Sequence, residues 1–161
     1  MKADGKHILL MRGFNKDVVG CMIDVFNQCK SQCLELVAPL RDMSYSSQIR
    51  SIWDYFVSNV AYVEDPGFNQ YLKTPARLLS DGIGDCKSFS LFFGSCLYCL
   101  NIPFVFRFVS FNSSPDFQHV YVVACPYTSQ QIILDAVEKD ADGEPRYNYA
   151  RNFIYNKDIA A

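Results

Sequence analysis

The feature that most constrains this chain is an apolar run from Phe89 to Leu100 that contains no charged residue. A helix on a protein surface keeps one polar face, whereas a helix that is apolar on all sides is buried. The run therefore predicts a buried helix from about Asp85 to Leu100, which the segment Asn101-Ile102-Pro103 ends. Other parts of the chain must then cover this helix on every side.

Apolar residues at helical spacing predict two further helices before this run. The first extends from Lys16 to about Val37 and is stopped by Pro39. The second begins near Ser46 or Ser47, because either hydroxyl could cap it. Its buried face would consist of Ile49, Ile52, Trp53, Phe56 and Val60.

Three strands are predicted after the buried helix, at residues 104–109, 118–125 and 131–137. Only a few residues join the last two, so these strands should pair as a hairpin. From Glu138 onward the chain is polar, and a tyrosine-rich stretch follows from Tyr147 to Tyr155. We expect this tail, 138–161, to belong to a single domain that comprises residues 1–161.

Composition restricts the class of protein. The 161 residues are 50% hydrophobic, which suits one domain with a substantial core. The net charge is −2 and no basic cluster occurs, so electrostatics do not support a nucleic-acid partner. The early apolar run Ile8–Met11 is far too short for a signal peptide or a membrane span, so we expect a cytoplasmic protein without a membrane partner. The seven cysteines are expected to be mostly reduced and buried.

Cys86 lies at the start of the predicted buried helix, where the positive end of the helix dipole favours its thiolate. His119 is one of only two histidines and lies on the second predicted strand, and Asp135 lies on the third. If the hairpin turn centres on Tyr127, His119 faces Asp135 across the pair. Cysteine, histidine and aspartate in this order are the parts of a thiol acyl-transfer site. Each of these residues taken singly is more often structural, and only the combination favours catalysis.

The segment 64–83 has little periodicity and is predicted as a long loop, and long loops in compact domains often carry function. Gly82 and Gly84 would let its backbone pass close to a substrate. Asp85 is either part of the site or a cap of the helix. The Cys86 amide is a natural oxyanion donor. The upstream candidates for a second donor or substrate contact are Gln70, Tyr71 and Trp53, among which the sequence does not choose.

The pair Cys96 and Cys99 has the spacing of some redox and zinc sites, but it falls in the last turns of the buried helix. Zinc would need two more ligands, and the chain has no second pair of this spacing. We therefore expect no metal and no cofactor.

Several short motifs together carry a resemblance to a known family. They are Tyr62, Thr74-Pro75 with Leu78-Leu79, Gly82-Ile83-Gly84-Asp85-Cys86, Asn101-Ile102-Pro103, His119-Val120-Tyr121 and Leu134-Asp135. In this order they resemble the transglutaminase-like domain of the papain-like cysteine-enzyme superfamily, over a core of about 62–137. In its length the chain resembles the short stand-alone copies of that domain found in bacteria and tailed phages.

The resemblance implies an α+β fold, with N-terminal helices and a central cysteine-bearing helix packed on an antiparallel β-sheet. It implies Cys86 as nucleophile, His119 as acid and base, and Asp135 as the orienting group. The reaction would be that of a protease, an amidase or a transglutaminase acting on a protein or peptide. Lys87 departs from the pattern, because many members carry an acidic residue soon after the cysteine. Asn101 departs too, where a glycine is usual.

The alternative function is a catalytically silent module with a structural or assembly role, for example in a phage virion. In that case the tail would be a docking arm that becomes ordered on a partner. Its aromatic residues are Tyr147, Tyr149, Phe153 and Tyr155. The simpler interpretation of the tail is a final strand or helix packed on the domain.

Overall fold

The computed structural model describes residues 7–10, 15–65, 70–112, 116–137 and 144–154. Within these ranges the chain forms five α-helices and a short 3-10 turn, Ala38–Leu40. The helices are α1, Asn15–Cys29; α2, Leu34–Val37; α3, Tyr45–Asn59; α4, Pro75–Asp81; and α5, Cys86–Cys99.

The described strands form one main sheet and two small ones. The main sheet is antiparallel and has the order β7-β6-β5-β8, while β1 pairs with β3 and β2 pairs in parallel with β4. The strands are β1, His7–Leu10; β2, Ala61–Tyr62; β3, Gln70–Lys73; β4, Ile83–Gly84; β5, Phe104–Ser110; β6, His119–Ala124; β7, Ile132–Leu134; and β8, Tyr149–Ile154.

Helix α5 is buried along almost its whole length, from Lys87 to Leu97, as its composition predicts. It packs on one face of the main sheet, and α1 and α3 cover its other sides. Aromatic rings form much of this contact, with edge-on or tilted pairs 4.6–4.9 Å apart between Phe56 of α3 and three α5 rings. These rings belong to Phe89, Phe92 and Phe93. The fold is the predicted α+β arrangement.

Both ends of α5 are formed by its own sequence. Asp85 is the N-cap, and its Oδ1 accepts a hydrogen bond from the Ser88 amide at 3.2 Å. At the other end Asn101 has a left-handed φ of 57°, and its amide donates to the Tyr98 carbonyl. Asparagine is among the few non-glycine residues that adopt this conformation readily, which explains why it can replace the glycine of the family pattern.

Two predictions about the N-terminal half are wrong. The helix predicted from Lys16 to Val37 is broken, because a turn over 30–33 separates α1 from α2. The segment 64–83 is not one long loop, since it contains β3 and α4. Both elements are too short to show a period, although Pro75 at the first turn of α4 is a helix-start signal.

The tail also differs from the expectation of a docking segment. Residues 149–154 form β8, which pairs with β5 along its length, with Phe106 opposite Phe153. The side-chain oxygen Oδ1 of Asn152 accepts a hydrogen bond from Arg107 Nε at 2.9 Å. The simpler interpretation, a final strand packed on the domain, therefore describes this segment. Tyr155 lies outside the described residues.

Candidate active site

The Cys86 side chain lies half-buried at the first residue of α5 and lines a small pocket with a volume of about 60 Å³. Polar residues of two other segments share the pocket: Gln70 of β3, and Gln118 with His119 at the start of β6. Its remaining walls are Lys87 and the apolar residues Val18, Val19, Phe108, Phe117 and Val120. The capping of α5 by Asp85 fixes the direction of the first turn and therefore the position of the thiol.

His119 and Asp135 are in direct contact, with 2.6 Å between Nε2 and Oδ2. His119 is the first residue of β6, and Asp135 follows β7 directly. The Asp135 side chain is 1% exposed, and its Oδ1 accepts a hydrogen bond from the Val137 amide at 3.2 Å. A buried carboxylate with an amide donor on one oxygen and an imidazole on the other holds the ring in one orientation.

The strand register differs from the prediction that placed His119 opposite Asp135. The observed pair Val122↔Leu134 centres the turn one residue later than Tyr127, which puts Asp135 diagonal to His119. Diagonal residues of an antiparallel pair point to the same face and can still touch through long side chains. The contact therefore forms in spite of the different register.

The surroundings of His119 favour its protonated form. Burial by itself lowers its pKa, but hydrogen bonds to Asp135 and Cys86 and the charges of the same two groups outweigh this effect. The result is a pKa raised to about 10. The ring is therefore an imidazolium in the pocket that the Cys86 thiol also lines, where it can act as an acid.

Tyr62 also adjoins the thiol, and the sequence marked it only as one part of the family pattern. The parallel pair β2–β4 sets it opposite Gly84, two residues before Cys86. Burial and the negative charges nearby, first that of Cys86, raise the pKa of Tyr62. Its phenol therefore stays neutral and is available as a hydrogen-bond donor at the site.

A buried ionic cluster that could not be foreseen from the sequence adjoins the thiol, since Lys87 lines the same pocket as Cys86. The Lys87 ammonium bonds to Asp85 and lies 3.4 Å from Asp65 Oδ2. Asp65 Oδ2 also accepts a hydrogen bond from the Tyr71 amide at 2.6 Å. Asp65 comes from the segment after β2, far from α5 in sequence, so only the fold brings these charges together.

The predicted donor and substrate-contact residues separate into two groups. Gln70 lies in the pocket with Cys86, whereas Trp53 is buried in the core and stacks on Phe93 with 6.0 Å between ring centroids. The Tyr71 amide is already bonded to Asp65. Of these three residues, Gln70 is the one that lines the pocket of Cys86.

Gly82 and Gly84 each have a structural role within the protein. That they also let the backbone pass close to a substrate stays a prediction. Gly82 is the C-cap of α4, with a left-handed φ of 67°. A Cβ on Gly84 would lie 2.5 Å from Leu78 Cδ1, so the close approach there is to α4. Asp85 acts as the helix cap and as the partner of Lys87.

Cys29, Cys96 and Cys99 differ from the half-buried Cys86 in being buried. Cys96 and Cys99 are free and buried, and burial raises the pKa of Cys99 to about 11 and that of Cys29 to about 12. Such thiols are poor nucleophiles at neutral pH. In the part of the chain that the structure describes, no three or more His, Cys, Asp or Glu side chains are grouped so that they could hold a metal ion. No helix in the same part is long and apolar enough to cross a bilayer.

No family model and no curated protein matches this chain. Solved structures match its fold. Calcium-bound LapG of Legionella pneumophila aligns with a TM-score of 0.55 and 17% identity, over 86% of this chain and 84% of that chain. The EGTA-treated form of LapG aligns with a TM-score of 0.51 and 17% identity, over 80% of this chain and 74% of that chain.

A candidate cysteine protease of Cytophaga hutchinsonii aligns with a TM-score of 0.52 and 18% identity, over 92% of this chain and 58% of that chain. These likenesses confirm the papain-like, transglutaminase-like fold that the sequence motifs implied. At such low identities the likeness establishes the fold, and the chemistry has to be argued from the residues of the site.

Proposed function

We propose that this protein is a cysteine peptidase in which Cys86 is the nucleophile, His119 the acid and base, and Asp135 the group that orients His119. One observation carries the proposal: a thiol at a helix start shares a pocket with an imidazole that a buried carboxylate holds at 2.6 Å. The solved structures with the same fold are cysteine proteases, which supports a protein or peptide as substrate.

The reaction follows from these positions. The Cys86 thiolate attacks the scissile carbonyl carbon, and a bond between Sγ and that carbon forms. The Cys86 amide at the start of α5 and the Gln70 side chain are placed to stabilise the oxyanion. The His119 imidazolium then gives its proton to the nitrogen of the leaving amine, the C–N bond breaks, and an acyl-enzyme remains.

A second nucleophile completes the reaction. Neutral His119 takes a proton from water, the oxygen attacks the acyl carbon, and the Cys86 thiolate leaves. If a primary amine attacks the acyl-enzyme in place of water, a new amide forms. A transglutaminase gives this product, as does an amidase working in the synthetic direction. Both outcomes share the acyl-enzyme, so hydrolysis and cross-linking are to be measured side by side.

Calcium has no suitable site among these residues. LapG has been studied in calcium-bound and EGTA-treated forms. In this chain the carboxylates that converge near the thiol are Asp65 and Asp85, and the Lys87 ammonium already lies between them. A divalent cation needs several oxygen ligands around an empty centre, and a fixed ammonium excludes it from this position. No catalytic step here is therefore assigned to calcium.

The proposal predicts that Cys86→Ala abolishes turnover while the fold stays intact. Protein substrates labelled with quenched fluorophores would report hydrolysis, and incorporation of a fluorescent amine would report transfer. His119→Ala should lower the rate about 10²–10⁴-fold, which is typical for loss of a general acid and base. Cys21→Ala is the matched control, because Cys21 is also half-buried but lies outside the pocket.

Turnover that survives in the Cys86→Ala variant would refute this mechanism. Absence of any turnover in the native protein, together with an ordinary Cys86 thiol, would favour the silent module of the transglutaminase-like fold. A place in a phage virion stays a prediction of the family resemblance.

A further inference from the structure

Lys87 is a buried cation directly beside the proposed nucleophile. Its side chain is only 9% exposed, and an unpaired ammonium at that depth would be strongly destabilising. The charge is matched by Asp85, which caps the same helix, and by Asp65, whose Oδ2 lies 3.4 Å from Nζ. Two carboxylates from different segments therefore hold the ammonium in one place.

Each of these carboxylates has a second bond that reaches the site. Asp85 accepts the Ser88 amide at 3.2 Å and fixes the first turn of α5, which carries the thiol. Asp65 accepts a hydrogen bond from the Tyr71 amide at 2.6 Å. Tyr71 directly follows Gln70, which lines the pocket. Lys87 thus connects the helix that holds the thiol with the strand that holds the candidate oxyanion donor.

The charge balance at the thiol depends on Lys87. Burial lowers its pKa, but the charges of Asp85 and Cys86 outweigh that effect and raise it, so the side chain stays protonated. Without the ammonium two carboxylates would remain near the thiol, and negative charge nearby disfavours a thiolate. The ionisable groups around Cys86 and its immediate neighbours are Tyr62, Glu64, Asp65, Asp85, Lys87, His119 and Asp135.

We propose that the Lys87 ammonium is a built-in counter-cation of this site: it offsets one of the two negative charges of Asp65 and Asp85, supports the Cys86 thiolate and fixes the Gln70 strand without a metal ion. Lys87 acts as a positioning residue, because it works through Cys86 and through the strand. The inference rests on the proposed function, since it assumes that Cys86 attacks as a thiolate.

The test is the pH dependence of Cys86 alkylation by iodoacetamide, resolved for each cysteine by peptide mass spectrometry on folded protein. Lys87→Met should slow the alkylation of Cys86 near pH 6 by about tenfold, because loss of a neighbouring positive charge disfavours the reactive thiolate by an amount of this order. Lys87→Arg keeps the charge and should retain most of the native rate.

Lys73→Met is the matched control. Its Nζ pairs with Asp81 at 2.9 Å and its side chain is 11% exposed, so a comparable buried ion pair is lost outside the pocket. This variant should lose stability but keep the native pH profile of Cys86. A shift as large as that of Lys87→Met would show that the effect is general loosening, and would overturn the inference.

Asp65→Asn supplies the opposite change and guards against a Lys87→Met variant that fails to fold. The amide oxygen of the new side chain can still accept the Tyr71 amide, while one negative charge disappears. Cys86 alkylation near pH 6 should become faster, and adding Asp65→Asn to Lys87→Met should restore part of the lost rate. An unchanged or slower rate in Asp65→Asn contradicts the inference.

The remaining outcomes separate the two proposals. If native Cys86 titrates like a free thiol near pH 8.5, the proposed function fails first. If native Cys86 titrates well below that and a folded Lys87→Met protein keeps the same profile, only the role of Lys87 fails. EGTA should leave the native alkylation rate unchanged, and a clear slowing by EGTA would refute the metal-free part.

Discussion

The His119 ring has two partners with different effects on the reaction. Asp135, at 2.6 Å, holds the ring and supports its positive charge, while Cys86 lines the same pocket as the ring. Because Asp135 directly follows β7 and Cys86 begins α5, the position of the ring depends on both elements. The protonation state of this one side chain is therefore the most informative quantity at the residue scale.

Asp135→Asn should lower the pKa of His119 from about 10 toward its ordinary value of 6.5, because the buried carboxylate no longer supports the charge. The ring resonances can be followed by NMR against pH, with His7 as the second histidine in the same spectrum. A folded variant in which the His119 midpoint does not move would show that Asp135 has no influence on the charge of the ring.

The raised pKa of His119 also determines whether the protein becomes more or less stable as the pH rises. The folded-state pKa of His119 lies above 6.5, so the folded protein binds the proton more tightly than the unfolded chain. This contribution is complete below about pH 6.5 and is lost as the pH rises through about 10. In Asp135→Asn the loss should be smaller and should end at a lower pH, which urea titrations at several pH values would measure.

Residues differ in how far sequence alone could place them. Cys86, His119 and Asp135 could be proposed because the chain has few histidines and because the residues occur in a known order. Lys87 could only be noted as a departure from the family pattern, since its partner Asp65 is distant in sequence and reaches it only in the folded protein. The roles of all these residues remain proposals.

Helix α5 shows what composition can predict at the scale of an element. The absence of charge between Phe89 and Leu100 predicted its burial and its ends to within one residue. The break between α1 and α2 was not predictable, because apolar spacing continues on both sides of a short turn. Strand β3 and helix α4 were missed because elements of 4 and 7 residues carry too little pattern.

The contact between α5 and the main sheet is closest at Gly94. A Cβ there would lie 2.7 Å from Phe106 Cζ and 3.1 Å from Phe104 Cε2. Gly94→Ala should therefore reduce the free energy of unfolding by about 1–3 kcal/mol through overpacking, even though alanine favours helix. Chemical denaturation would measure the loss.

Gly20→Ala is the control for this prediction. Gly20 is exposed within α1, and an added Cβ would meet nothing within 4 Å. Alanine there should increase the free energy of unfolding by about 0.5–1 kcal/mol, through helix propensity alone. Equal effects of the two substitutions would contradict the packing described for α5 and the sheet.

At the scale of the whole molecule, the strands next to the candidate catalytic residues and the last strand of the chain lie toward opposite edges of the main sheet. In the order β7-β6-β5-β8, the strands that carry His119 and precede Asp135 are β6 and β7, while β8 completes the far edge. Pairing between β5 and β8 is a long-range contact, which is why the polar, tyrosine-rich sequence of this segment did not predict it.

A chain truncated after Asp140 should lose most of its stability, because β5 would lose all of its hydrogen bonds to β8 and one face of Phe106 and Phe108 would be uncovered. Thermal unfolding followed by circular dichroism would show a lower midpoint or no cooperative transition. A truncated protein that unfolds at the native temperature, and that has lost only binding to a partner, would support the docking arm.

The stack of Trp53 on Phe93 has a practical consequence. The chain contains a single tryptophan, and its indole lies buried between α3 and α5. Its fluorescence emission therefore reports on one known contact and needs no added label. The spectrum can distinguish a variant that has lost its reactivity from a variant that has lost its core, in the same sample used for the alkylation rate.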